Sequence, residues 1–156
     1  MGTVVPRSAL ERLGNELRSQ GKKIVSTNGC FDLLHVGHTR ILKAARELGD
    51  VLIVGLNSDA SVQKLKGSSR PINQDSDRAE ILTSLDCVDY VTIFDEDTPV
   101  QFLELLKPDI HVKGADYKPE HLAETPVVEK HGGQVRILKL VPGKSTTEMI
   151  GRMRSE

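Results

Sequence analysis

Five short apolar runs, each separated from the next by a stretch of helical periodicity, constrain the fold of this chain more than any other feature. They occupy residues 23–26, 51–56, 90–94, 108–112 and 134–140. Val51-Leu52-Ile53-Val54-Gly55-Leu56 is apolar at every position, the pattern of a strand covered on both faces in a parallel sheet. Helical spacing of apolar residues covers 39–48, 57–64, 75–85, 98–106 and 126–131, with further helices over 8–20 and 145–153. Alternating strands and helices predict right-handed crossovers and an α/β fold, a doubly wound five-stranded parallel sheet in three α/β/α layers. A length of 156 residues suits a single domain with a full core.

Local signals mark the element ends. Ser8 with Glu11 reads as a capping box and Gly21 as a stop, so residues 1–21 form an N-terminal helical segment ahead of a main domain over 22–156. Pro99 falls at the first position of its helix, and Arg78 is expected on the exposed side of the 75–85 helix. The loop 66–73 is polar, basic and rich in breakers, the composition of a mobile segment.

Doubly wound sheets bind ligands outside the carboxyl ends of their strands, and four motifs fall there. They are 27–38 after the first strand, 57–70 after the second, 113–117 after the fourth and 143–147 after the fifth. The first reads as a turn with a helix start, placing His35 and His38 three residues apart at a helix N-terminus, where unpaired N–H groups favour anions. Two readings stay open, a phosphate site and plain capping; Gly37 favours the first, because close approach of a ligand to the backbone needs it and capping does not. A zinc site needs more ligands, and Cys30, Cys87, His111, His121 and His131 show no ligand spacing. Ser145-Thr146-Thr147 with Glu148 makes a second anion-friendly N-terminus. Gly143-Lys144-Ser145 lacks the upstream glycine of a phosphate-binding P-loop, and no GxGxxG follows a strand.

Bulk properties narrow the partners. With 21 Lys and Arg against 22 Asp and Glu, the net charge of −1 argues against nucleic-acid or membrane binding. Three Phe, two Tyr and no Trp leave little aromatic surface for stacking on bases. Neither a secretory signal nor a run approaching the roughly 20 apolar residues of a membrane span is present, which predicts a cytoplasmic protein. Cys30 and Cys87 are expected as thiols, with Cys30 in the turn a candidate reactive one.

His35-Val36-Gly37-His38 resembles the HxGH signature of the nucleotidyltransferase superfamily, whose fold is Rossmann-like, and Ser145-Thr146-Thr147 resembles its second signature. The resemblance is closer to the D-glycero-β-D-manno-heptose 1-phosphate adenylyltransferase family. It runs through residues 27–32, 57–62, Lys66-Gly67, Arg70-Pro71-Ile72-Asn73, 77–80, 87–91 and 113–117, and covers nearly all of 22–153. It implies transfer of AMP from ATP to a heptose 1-phosphate, with Mg²⁺, giving ADP-heptose and pyrophosphate for lipopolysaccharide or surface-glycan assembly. It also implies a homodimer in the stand-alone form, supplied by a separate sugar kinase. The chemistry needs no general base, since a sugar phosphate with a second pKa of about 6 is mostly ionised at neutral pH.

By motif match the resemblance makes His35, His38 and Lys66 catalytic, with Lys66 on a mobile lid. It assigns Thr27, Asn28, Gly29, Phe31, Gly37, Lys113, Gly114, Ser145, Thr146 and Thr147 to the nucleotide, and Asp32, Arg78 and Asp116 to the acceptor. Competing readings remain for three of these: a cap for Asp32, a solvated charge for Arg78 and a strand-end turn for Asp116. Two other functions stay open, a cytidylyltransferase for an alcohol phosphate such as glycerol 3-phosphate, and a nucleotide-binding sensor without chemistry. An aminoacyl-tRNA synthetase is set aside for want of a KMSKS signature.

Overall fold

In the computed structural model, which describes residues 1–114, 118–139 and 145–155, the chain forms six parallel strands. They are β1 (Thr3–Val4), β2 (Ile24–Gly29), β3 (Val51–Asn57), β4 (Tyr90–Phe94), β5 (Ile110–Gly114) and β6 (Gln134–Leu138). The order across the sheet is β1-β4-β3-β2-β5-β6. The chain winds from β2 through β3 to β4 on one side, then returns to place β5 and β6 on the other. The direction of winding therefore reverses at β2 and β5, the place where a doubly wound sheet opens a crevice.

The helices are α1 (Leu10–Ser19), α2 (Val36–Arg46), α3 (Asp59–Lys66), α4 (Asp75–Thr83), α5 (Val100–Leu106), α6 (Glu124–Lys130) and α7 (Thr146–Arg154). The period-2 alternation of the buried strands sorts them into layers. Val51 and Ile53 of β3 pack with Leu10 and Leu17 of α1, Phe102, Leu103 and Leu106 of α5 and Val128 of α6. Leu52, Val54 and Leu56 face the opposite cluster, with Leu42 and Ala45 of α2 and Ala79 and Leu82 of α4. Burying a side chain of this size contributes about 1.5–3 kcal/mol, so these two clusters carry the fold.

Four expectations need correction. The sheet has six strands, because Thr3 and Val4 pair with Tyr90 and Val91; both are exposed, so no periodicity announces them. Ser8 is not the cap of α1: the Ala9 N–H donates to the Pro6 carbonyl at 2.9 Å, closing a 3-10 turn over Arg7–Ala9, and α1 begins at Leu10. Thr27, Asn28 and Gly29 belong to β2 rather than to the turn, in register with Val54, Gly55 and Leu56 of β3. Arg78 is buried, not exposed, with 1% of its surface accessible. None of the helices among the described residues is long and apolar enough to cross a membrane.

Candidate active site

The crevice at the winding reversal is a cleft of about 520 Å³. From β2 and the turn after it, Asn28, Gly29, Phe31 and Asp32 line it; α2 contributes His35, Gly37 and His38, and α3 contributes Lys66. Lys113 and Gly114 close it from β5, and Ser145, Thr146 and Thr147 from the start of α7. Thr27 lines a smaller adjoining cavity of about 150 Å³, and its hydroxyl donates to the Val112 carbonyl at 2.8 Å. Asp116 lies outside the described residues.

His35 both caps and faces the cleft. It is the N-cap of α2, and its Nδ1 accepts from the Gly37 N–H at 3.1 Å, which places the proton of the neutral ring on Nε2. His38, three residues on, stacks on it with ring centroids 3.9 Å apart and planes inclined by 24°. Burial, and then the neighbouring His35, push the His38 pKa down to about 4, so this imidazole is neutral at neutral pH. Its Nδ1 is buried and has no hydrogen-bond partner among the described residues. Phe31 packs against His38 at 5.1 Å, and Phe31 stands at a φ of 45°, a left-handed backbone that costs a non-glycine residue about 1–2 kcal/mol. Gly29 makes that turn possible, since a Cβ there would meet the Phe31 ring at 3.0 Å.

A buried ion pair holds the walls in place. Asp32 accepts from Arg70 Nε at 2.7 Å and from the backbone N–H of Ile72 and Asn73 at 2.8 and 3.0 Å. Burial raises its pKa, but the Asn73 and Ile72 N–H groups and the Arg70 guanidinium outweigh that and hold the carboxyl below its ordinary range. Asp32 thus pins the 70–73 segment to the histidine turn. Arg70 Nη1 reaches Thr147 Oγ1 at 3.4 Å, and Thr146 Oγ1 donates to the Leu33 carbonyl at 2.8 Å, so the start of α7 is tied to the same turn. Ser145 caps α7, accepting from the Glu148 N–H at 3.0 Å.

Arg78 lies beneath the cleft and is not among its lining residues. Its guanidinium donates to the carbonyls of Cys30 (2.6 Å), Asn57 (2.8 Å) and Asn73 (3.0 Å), and to Asp59 Oδ1 at 2.8 Å. It fastens the ends of β2 and β3 to α3 and the 70–73 segment. Cys30 is less reactive than its turn position suggests: burial raises its thiol pKa, against the lowering effect of Lys66, Arg78 and Arg70. Lys66 is exposed at the last position of α3, followed by Gly67 at a φ of 99°, a conformation that suits glycine and turns the chain out of the helix.

Sequence reasoning gave no role to Arg70 or His111. Arg70 is 8% exposed, lines the cleft and bridges Asp32 to Thr147. The signal available was its place in Arg70-Pro71-Ile72-Asn73, where a basic residue opens a turn beside an acidic motif. Residues 26–149 match the cytidylyltransferase-like family model. The chain is 53% identical over 147 residues to the bifunctional protein HldE of Geotalea uraniireducens, covering 94% of this chain and 30% of that protein. It is 56% identical over 136 residues to the HldE protein of Geobacter metallireducens, covering 87% and 28%. The chain thus spans under a third of the length of these relatives. The crystal structure of a lipopolysaccharide core biosynthesis protein from Thermoplasma volcanium superposes with a TM-score of 0.62 at 29% identity, over 78% of this chain and 98% of that one. Pantoate-beta-alanine ligase from Francisella tularensis shares the fold, with a TM-score of 0.63 at 14% identity over 100% of this chain and 79% of that one. The chain belongs to the cytidylyltransferase-like family of nucleotidyltransferases, enzymes that take a nucleotide as one substrate.

Proposed function

We propose that this domain transfers AMP from ATP to D-glycero-β-D-manno-heptose 1-phosphate, releasing pyrophosphate and forming ADP-heptose for lipopolysaccharide or surface-glycan assembly. The observation that carries the reading is the meeting of two helix N-termini in one cleft. The stacked pair His35 and His38 opens α2, and Ser145, Thr146 and Thr147 open α7, with Lys66 at the rim. Such ends favour phosphate through their unpaired N–H groups. The HldE relatives and the lipopolysaccharide core biosynthesis neighbour support a sugar phosphate as acceptor.

A phosphate oxygen of the heptose 1-phosphate attacks the α-phosphorus of ATP. The new P–O bond forms as the bond from the α-phosphorus to the bridging oxygen breaks, and that electron pair leaves with pyrophosphate. No proton has to be removed from the attacking dianion, so the residues needed are donors rather than a base. Neutral His35 and His38 donate Nε2–H to oxygens that gain charge at the α-phosphoryl group, Lys66 offsets charge on the departing pyrophosphate, and the start of α7 holds the triphosphate. Among the described residues lining the cleft the carboxylate is Asp32, which is engaged by Arg70; Mg²⁺ would therefore be held chiefly by the phosphate oxygens of ATP and would supply further charge neutralisation. A sugar kinase supplies the acceptor, and the domain works as a homodimer in the cytoplasm. Mass spectrometry of the product from ATP and the β-heptose phosphate tests the reading: ADP-heptose is expected, and its absence alongside CDP-glycerol from CTP and glycerol 3-phosphate replaces the substrates.

A further inference from the structure

Behind the cleft, β2 and β5 carry a polar chain that none of these steps uses. His111 on β5 is fully buried and stands in register with Ser26. Its Nδ1 lies 2.7 Å from Ser26 Oγ and its Nε2 lies 3.1 Å from Asn28 Oδ1. The same Asn28 oxygen accepts from Lys113 Nζ at 3.3 Å, and Lys113 pairs with Glu124 at 2.9 Å.

These contacts fix the proton and the amide together. An ammonium only donates, so Lys113 requires the oxygen of the Asn28 carboxamide to point at it. That oxygen only accepts, so the His111 nitrogen facing it carries the hydrogen, and Nδ1 is left to accept from the Ser26 hydroxyl. Burial and the charge of Lys113 hold His111 neutral, with a pKa near 3, so it has one N–H to place. Turning the carboxamide over would set its NH₂ against the Lys113 ammonium, whichever tautomer His111 adopted. Asn28 lines the cleft and the adjoining cavity, and its Nδ2 makes no hydrogen bond among the described residues.

We propose that His111 is a positioning residue: through the chain Ser26–His111–Asn28, with Lys113 choosing the orientation, it holds the Asn28 NH₂ toward the cleft as a dedicated donor to an oxygen acceptor of the bound substrates. The kinetic half of this proposal rests on the nucleotidyl-transfer reading; the orientation half does not.

Long-range ¹H–¹⁵N spectra of the wild-type protein at pH 7 read the orientation directly. His111 is expected as the Nε2–H tautomer, and an Nδ1–H tautomer overturns the proposal whatever the enzyme's activity. Steady-state kinetics read the consequence. His111→Leu removes the partner on Asn28, and a lost or misdirected hydrogen bond predicts a KM raised about tenfold for one of the substrates with kcat held within about threefold. His111→Gln can still donate to Asn28 and accept from Ser26, and restores KM to within about twofold. A folded Leu variant with both KM values unchanged, or a Gln variant as impaired as the Leu variant, contradicts it. Loss of all nucleotidyl transfer in the wild type defeats the substrate reading instead, and leaves the tautomer result standing.

Discussion

The rings of His35 and His38 stack with their centroids 3.9 Å apart, and this contact opposes placing a second positive charge beside the first. Together with burial it makes His38 a donor that is neutral throughout the physiological range. In the proposed transfer, two imidazoles at this separation would act by directed N–H groups rather than as a doubly charged clamp. Replacing His38 by Ala is expected to lower kcat about 10²–10³-fold with the circular dichroism spectrum unchanged, the cost of one donor aimed at developing charge.

The same depressed pKa values make stability depend on pH with a definite sign. His38 titrates near 4 and His111 near 3 in the folded chain, against 6.5 for an ordinary histidine. Between these values the unfolded chain binds more protons, so stability is fully present above about pH 6.5 and falls as the pH drops through the folded values. Asp32, whose folded pKa is lowered, adds a loss only below its ordinary value of 3.8. Urea titrations across pH 4–7 are expected to show the midpoint falling with acid, and His111→Gln is expected to remove about one proton from that slope.

Arg78 supports three carbonyls and one carboxylate from a fully buried position. Arg78→Met leaves those acceptors unsatisfied and is expected to cost about 3–5 kcal/mol in urea unfolding. Arg78→Lys should recover little of it, because an ammonium cannot match a fork that serves four oxygens.

Asp32 holds Ile72 and Asn73 through their backbone N–H groups. Asp32→Ala is therefore expected to abolish hydrogen-exchange protection at these two amides and to expose the 67–73 segment to proteolysis, while amides of β3 keep theirs.

Much of this was legible in the order of residues. The apolar runs announced five of the six strands, and the HxGH and Ser-Thr-Thr segments announced the two helix starts that meet in the cleft. What escaped was contact at long range. Arg78 meets Cys30 across 48 positions and His111 meets Ser26 across 85, and helical or strand periodicity says nothing of such pairs. Arg78 reads as a surface charge because its neighbours in sequence are polar; its burial follows from carbonyls contributed by other elements. β1 escaped for the opposite reason, as two exposed residues held by edge pairing alone.

Lys66 is the least anchored of the proposed catalytic groups, at the end of α3 with Gly67 beyond it. Lys66→Ala is expected to lower kcat about 10²-fold with little change in thermal midpoint, and Gly67→Val to cost about 1–2 kcal/mol by forcing a branched side chain into a left-handed backbone. Stopped-assay kinetics and thermal denaturation of the two variants check this.

The proposed transfer, assisted by the paired histidines, releases one pyrophosphate per turnover, and that release can be followed directly. With Mg²⁺, ATP and CTP are each combined with D-glycero-β-D-manno-heptose 1-phosphate, its α anomer and glycerol 3-phosphate, for the wild type and His38→Ala. Turnover is expected with ATP and the β-heptose phosphate, and its loss in the variant. No release with any combination, or full activity in a folded His38→Ala protein, would contradict it.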